Sequence, residues 1–275
     1  MKILNSTKIF CSISHPGADL TGVLYNEIIS ELGIEGIYLP LTSINPIHSY
    51  NGIRSFSFDG VTVSMPYKQD IIECLDSIDE IAEKIGAVNT VFRSGKKYIG
   101  SNTDYYGAIA TLEEQVNLDK LSVLLVGAGG AANAIAYGLK IKGCDVVICN
   151  RTNEKAVELS RKYELRYCDF KNLQNIEGVD VVINATSLGF LGQGDASTLF
   201  SESNFSSCKV VLDVVFSPVQ TELILKAKNL GINVAYGSRM LVHQALKQFE
   251  LWGYTGAPDV DKLEKRLIEF VEMEK

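Results

Sequence analysis

Val123-Leu-Leu-Val126-Gly127-Ala-Gly129-Gly130-Ala131-Ala132 is the stretch on which the fold turns. Four apolar residues with strand character stop at a glycine, and small residues then run at helical spacing toward Leu139. In a strand–turn–helix with G-x-G-x-x-A spacing, Gly127 permits the tight turn and Gly129 lets a pyrophosphate reach the backbone. Ala132 lets the helix lie close on the sheet. The helix start presents N–H groups and a positive dipole end to phosphate. Gly127, Gly129, Gly130 and Ala131 are therefore the candidate contacts. Read through to Leu139, the stretch is shorter than the roughly 20 apolar residues of a membrane span. It also carries four glycines and Asn133.

Working outward, a second β-branched run, Asp145–Cys149, ends about twenty residues on, where the dinucleotide fingerprint expects a residue for the ribose. A site for NAD puts Asp or Glu there. This chain has Asn150-Arg151-Thr152, with Lys155 following. No acid is present to repel a 2′-phosphate, and a guanidinium can grip one through charge-assisted hydrogen bonds. The candidate cofactor is NADP(H), held by Asn150, Arg151 and Thr152. The competing reading of Arg151 is an ordinary solvated charge.

Further runs, Asp180–Asn184, Lys209–Val214 and Asn233–Tyr236, continue the strand series, separated by helical patterns such as Asn153–Tyr163 and Thr221–Leu230. Before residue 103, strand-like runs at Lys8–Ser12, Gly36–Pro40, Gly60–Met65 and Thr90–Arg93 alternate with helical spacing at Leu24–Leu32 and Ile71–Ile85. Alternation of this kind predicts mostly parallel sheets covered by helices. The expected fold class is α/β, with two three-layer αβα domains. The expected boundaries are 1–103, 104–238 for the nucleotide domain, and 239–275 for two closing helices. Leu241, Ala245, Phe249 and Trp252 form an apolar stripe in the first of these helices, and Leu263, Leu267 and Val271 in the second.

Bulk composition narrows the function classes. A net charge of −7 argues against a general nucleic-acid binder, which needs clustered Lys and Arg. The six cysteines form no C-x-x-C pair and there are only three histidines, so no metal-ligand spacing is present. Reduced thiols and the polar start MKILNSTKIF fit a cytoplasmic protein.

Several further segments resemble one family. Pro66-Tyr-Lys68, Ile85-Gly-Ala-Val-Asn-Thr90, Gly100-Ser-Asn-Thr-Asp104, Asn150-Arg-Thr152, Asn184-Ala-Thr-Ser-Leu-Gly189 and Gly237-Ser-Arg-Met-Leu-Val-His-Gln244 look like shikimate dehydrogenase signatures, in the family's order. The resemblance implies an N-terminal substrate domain, a C-terminal Rossmann domain for NADP, and closing helices that pack back on the N-terminal domain. It also implies reversible hydride transfer to a small hydroxy-acid substrate, a step that needs a proton donor at the forming alkoxide. By carry-over Lys68 takes that role, with Asp104 beside it on the same hydroxyl. Outside such motifs a Lys–Asp pair is usually a surface salt bridge. The resemblance further assigns Thr21, Ser64, Asn89, Thr103 and Gln244 to the substrate, and Asn102 to bracing the Thr103–Asp104 loop. Thr186, Ser187, Gly237 and Met240 complete the cofactor site. Gln244 also stands out as an amide on an apolar face, which needs a partner; a backbone group would serve as well as a substrate.

The substrate side departs from the family pattern. Where the family has two serines for the substrate carboxylate, Asn26 as anchor places Asp19 and Thr21. Two like charges about 4 Å apart repel by roughly 4 kcal/mol at an effective dielectric of 20. Ser12 and Ser14 in a shifted loop would be one compensation. Asp19 turned into solvent is a second, and a substrate without a carboxylate at that point a third. Thr62-Val-Ser64 stands for the family's N-V-T, and Phe216 for a tyrosine. The sequence thus supports a shikimate dehydrogenase. The alternatives are a similar enzyme acting on quinate or another cyclic hydroxy compound, and an NADP-binding sensor without catalysis. No metal, nucleic acid or membrane is implied, and a monomer or homodimer fits equally. Arg151→Ala should raise the KM for NADPH far more than that for NADH; an equal effect in steady-state kinetics would reject the 2′-phosphate assignment.

Overall fold

The computed structural model describes residues 4–15 and 22–273. It divides into two compact units: the residues up to Thr103 together with those from Ala245 on, and Asp104–Gln244.

In the first unit the elements run β1 (Lys8–Ile13), α1 (Gly22–Glu31), β2 (Gly36–Leu39), α2 (Pro46–Ser55), β3 (Gly60–Val63), a 3-10 turn at Asp70–Cys74, β4 (Ser77–Ile78), α3 (Glu80–Ile85), β5 (Thr90–Ser94) and β6 (Lys97–Ser101). They form a six-stranded sheet of order β2-β1-β3-β5-β6-β4. Its β2-β1-β3 part is parallel, whereas β5 runs antiparallel to both β3 and β6. Side chains alternate along β1, as a strand requires. Cys11 and Ile13 join Val61, Val63, Tyr50 and Ile71 in one core layer. Phe10 points to the other face, where aromatic rings cover the sheet.

The second unit runs α4 (Asp104–Glu113), β7 (Ser122–Val126), α5 (Gly130–Ile141), β8 (Asp145–Cys149), α6 (Asn153–Tyr163), β9 (Arg166–Cys168), β10 (Val181–Asn184), β11 (Val210–Asp213), α7 (Glu222–Asn229) and β12 (Asn233–Tyr236). Its sheet is parallel throughout, in the order β12-β11-β10-β7-β8-β9. The chain therefore winds outward from β7 in both directions, as in a Rossmann fold. Val123 and Leu125 pack into the layer with Ile135 and Leu139, and Leu124 and Val126 into the layer with Leu173 and Leu223. Both faces are covered, which is why these strands read as continuous apolar runs.

Two helices close the chain, α8 (Gly237–Leu251) and α9 (Val260–Met273). The part of α8 up to Gln244 belongs to the second unit, and the rest of α8 and α9 to the first. There α9 lies along α1. Trp252, just after α8, stacks on Phe10 at 4.9 Å and meets Phe249 edge-on at 5.0 Å, while its indole N–H donates to the Val91 carbonyl at 3.0 Å. Each such aromatic pair adds about 0.5–1.5 kcal/mol beyond its buried area. The indole lies directly over Gly60, where any Cβ would strike the ring.

One expected element is different. Ile71–Ile85 reads as a single helix, yet it forms the 3-10 turn, β4 and α3. Asp76 accepts the Tyr98 N–H and an Arg54 N–H, both at 2.8 Å, and Asp79 caps α3 by accepting from Ala82 N–H at 2.8 Å. Short acidic side chains bonding to neighbouring groups compete with the helix ladder and end it. Among the described residues no helix is long and apolar enough to cross a membrane.

Gly60→Ala should lower stability by about 1–3 kcal/mol through overpacking on Trp252. Gly52→Ala, in α2 with nothing within 4 Å of the new methyl, should leave stability unchanged or raise it by about 0.5–1 kcal/mol. Denaturant melts of the two variants would check both signs.

Candidate active site

The substrate-side residues of the first unit gather at the carboxyl ends of β1, β3 and β6, where open α/β sheets bind ligands. Ser64 follows β3 and is half-buried; its N–H donates to Ile13 O at 3.0 Å and its carbonyl accepts from Tyr67 N–H at 3.0 Å. Lys68 is also half-buried, and its carbonyl accepts the Val88 N–H at 2.7 Å. That bond ties the lysine's backbone to the loop carrying Asn89. Gly86 caps α3 in the left-handed region, φ 70°, and turns the chain into this loop.

Asn89 is the most connected of the candidates. Its Oδ1 accepts the Thr103 N–H at 2.8 Å and the Thr90 hydroxyl at 2.6 Å, and its Nδ2 donates to Thr103 Oγ1 at 3.1 Å. Asn102 donates from Nδ2 to Ala87 O at 3.1 Å, bracing the same two segments. Asn89, Asn102 and Thr103 are each buried to about one per cent exposure.

Thr62 does not point at open space. Its hydroxyl and that of Tyr38 lie 2.5 Å apart, and the Tyr38 ring stacks on Tyr25 at 4.2 Å. Ser12 and Ser14, the candidate substitutes for the family's serines, donate their hydroxyls to Leu41 O at 3.1 and 3.2 Å. Asp19 and Thr21 lie outside the described residues.

In the second unit Asp104 opens α4 and is 4% exposed. One turn on, Gly107 lets α4 cross α8 backbone to backbone: a Cβ there would lie 2.5 Å from Met240 O and 2.9 Å from Gln244 Cβ. Beyond the end of α4, Glu114 accepts from Arg239 Nε at 2.8 Å and Nη2 at 2.9 Å, and pairs with His243 Nε2 at 2.7 Å. Burial raises the Glu114 pKa, but the hydrogen bonds from Arg239 and His243 outweigh it and hold the carboxyl below its ordinary value. Asp104, Met240 and Gln244 thus sit on one helix pair. Met240 is buried in the core with Ala108 and Ile109, and Gln244 is half-buried.

Gly127 has φ +122°, and a Cβ on it would lie 2.6 Å from Ala185 O, so no other residue fits this turn from β7 into α5, beside the end of β10. Gly129 caps α5 without any side chain over the first turn, and a Cβ there would meet open space. Gly130 is exposed, Ala131 half-buried and Ala132 fully buried. These features fit a pyrophosphate. At the end of β8, Asn150 Nδ2 donates to Thr152 O at 2.9 Å, and Arg151 is exposed. The β10 end is organised by Asn184, whose Oδ1 accepts the Thr186 hydroxyl at 2.7 Å and whose Nδ2 donates to Asp213 at 2.8 Å. Asp213 also accepts Thr221 Oγ1 at 2.7 Å. Burial raises its pKa against those bonds. Ser187 is exposed beyond this knot. Gly237 joins β12 to α8 under the Val214 carbonyl, which a Cβ would strike. Phe216 packs edge-on against Phe190 at 6.0 Å.

Residues 17–91 match the family profile of the shikimate dehydrogenase substrate binding domain, and 109–215 that of shikimate/quinate 5-dehydrogenase. An NADP(+) shikimate dehydrogenase of Syntrophobacter fumaroxidans is 35% identical, over 90% of this chain and 87% of that protein. One of Pyrococcus furiosus is 36% identical, over 91% and 92%. The chain belongs to the shikimate dehydrogenase family. The crystal structure of the Thermus thermophilus shikimate dehydrogenase in complex with NADP(H) and shikimate superposes with a TM-score of 0.85 at 28% identity, covering 96% of this chain and 100% of that one. The family resemblance and the α/β fold, with the closing helices returning to the first unit, agree with what the motifs imply.

Sequence reasoning missed Gln248, Asp213 and the Glu114–Arg239–His243 cluster. Gln248 leaves a signal: it is one helical turn beyond Gln244 within an apolar stripe, and it is fully buried.

Because the folded pKa of Glu114 is depressed, its pairing stabilises the protein above the ordinary glutamate pKa, and that stabilisation is lost as pH falls through the folded value. Glu114→Gln should therefore lower Tm by a few degrees at pH 7, and the gap should close as pH falls through the depressed folded value. A gap independent of pH, measured by calorimetry, would reject the ion-pair account.

Proposed function

We propose that this chain catalyses the NADP-dependent, reversible reduction of 3-dehydroshikimate to shikimate. It does so as a cytoplasmic enzyme, monomeric or homodimeric, acting on a small hydroxy acid. The observation that carries this reading is the hydrogen-bonded frame joining Lys68 O to Val88 N–H and Asn89 Oδ1 to Thr103 N–H. It fixes the backbone on either side of a buried amide and ends one residue before Asp104.

When bound, NADPH supplies the hydride. Lys68 delivers a proton to the substrate oxygen as the carbonyl becomes an alcohol, and removes it in the reverse direction. Asp104 accepts a hydrogen bond from that hydroxyl and orients it. Asn89, Thr103, Gln244, Ser64 and Thr21 bind the remaining oxygens. Gly127, Gly129, Gly130 and Ala131 receive the pyrophosphate, and Asn150, Arg151 and Thr152 the 2′-phosphate. Thr186, Ser187, Gly237 and Met240 line the nicotinamide end. Residues 1–103 make the substrate domain and 104–238 the nucleotide domain; of the closing segment 239–275, the part from Ala245 on completes the first.

The purified protein should reduce NADP⁺ with shikimate, and far more slowly with quinate; no turnover with shikimate would overturn the reading. Lys68→Ala should lower kcat by about 10²–10⁴-fold with a smaller change in shikimate binding. A folded variant with near-normal turnover would remove Lys68 from the proton step.

A further inference from the structure

Four buried side chains of the first unit form one chain of hydrogen bonds. The Tyr25 hydroxyl donates to Gln248 Oε1, and Gln248 Nε2 donates to Thr90 Oγ1 at 2.9 Å. The Thr90 hydroxyl then donates to Asn89 Oδ1 at 2.6 Å. Tyr25 is 4% exposed, Gln248 and Thr90 are fully buried, and Asn89 is 1% exposed. In such surroundings each bond is stronger than in water, and a mismatched group is costly.

The direction of this chain is fixed at both amides by backbone groups that cannot change role. The Thr103 N–H can only donate, so the atom facing it at 2.8 Å must be the oxygen of the Asn89 amide. The Asn89 carbonyl can only accept, so the Gln248 atom facing it at 3.4 Å must be the nitrogen. Between these two fixed points lies the Thr90 hydroxyl, which has one proton. Because it accepts from Gln248, that proton goes to Asn89. The Asn89 amide is thereby held with its oxygen toward the Thr103 N–H and Thr90, and its nitrogen edge toward Thr103 Oγ1. A substrate hydroxyl meeting that side is met by a donor.

We propose that Gln248 is a positioning residue for the substrate: by turning the Thr90 proton onto the Asn89 oxygen it adds a second donor to the one the Thr103 N–H supplies, and so secures the polarity of the contact Asn89 offers. The proposal rests on Asn89 binding substrate, as proposed above. It extends the specificity machinery to α8, one turn beyond Gln244, without Gln248 touching the ligand.

Gln248→Glu tests the polarity with little change of shape, because a carboxylate still accepts from Tyr25 but cannot donate to Thr90. The hydroxyl of Thr90 then turns to the carboxylate, and Asn89 loses a donor on its oxygen. The KM for shikimate should rise about tenfold, with a smaller change in kcat and an unchanged KM for NADP⁺. Gln248→Met combined with Tyr25→Phe removes both partners of the first link and serves if the glutamate variant does not fold. Thr90→Val should raise the same KM, and its effect should not add to that of the double variant, because both break one chain. Equal changes in both KM values and kcat, or additive effects, would overturn the proposal. The side-chain amide protons of Asn89, assigned by NMR against Asn89→Asp, give an arm independent of turnover. Faster exchange in Gln248→Glu supports the relay, and unchanged exchange rejects it. A wild-type protein inactive on shikimate would overturn the proposed function while this arm still judged the relay.

Discussion

The Asn89 side chain is closed off from solvent, yet its oxygen receives both a backbone N–H and a hydroxyl. A buried amide without such partners would cost about 1–3 kcal/mol or more. The start of β5 and the chain leaving β6 are therefore bound to a common point. Asn102 adds a second bond from the same loop to Ala87 O, and Val88 N–H holds the Lys68 carbonyl. Lys68, Asn89 and Thr103 take their backbone places from this knot.

The nucleotide side rests on a steric constraint instead. Gly127 has room for a hydrogen and nothing larger, because the Ala185 carbonyl oxygen lies 2.6 Å from where its Cβ would be. The β7 turn can then pass close to the end of β10, and α5 starts uncapped by any side chain. Asn184 and Asp213 shape the next loop from below. The carboxylate is tolerated there because Asn184, Thr221 and the Val215 N–H all donate to it. Helix α8 contributes to both units, with Met240 in the core of the second and Phe249 among the aromatic rings of the first.

Much of this is legible in the sequence. The strands of the second unit are apolar on both faces, so β-branched runs at β8, β10 and β11 stand out. The α6 helix, with its strong amphipathic pattern, reads at its full length, Asn153–Tyr163. The first unit is harder. Its β4 has two residues, too few to show alternation, and β6 pairs with β5 through a short turn at Gly95 rather than through apolar periodicity. The false helix at Ile71–Ile85 arose because apolar spacing persists across Asp76 and Asp79, whose hydrogen bonds are made to a residue of β6 and to the capped turn of α3.

By itself the sequence determined the glycine turn after β7 and the absence of an acid at the end of β8. Those depend on residue type at short spacing, and local chain geometry carries them. Only the tertiary structure decided which polar groups are spent on one another. Thr62 is engaged by Tyr38, and Ser12 and Ser14 by Leu41 O. Gln248 meets Thr90 across 158 residues of chain. Such pairings join residues far apart in sequence, and a hydrogen bond's direction is set by what lies opposite in space. No pattern along the chain encodes it.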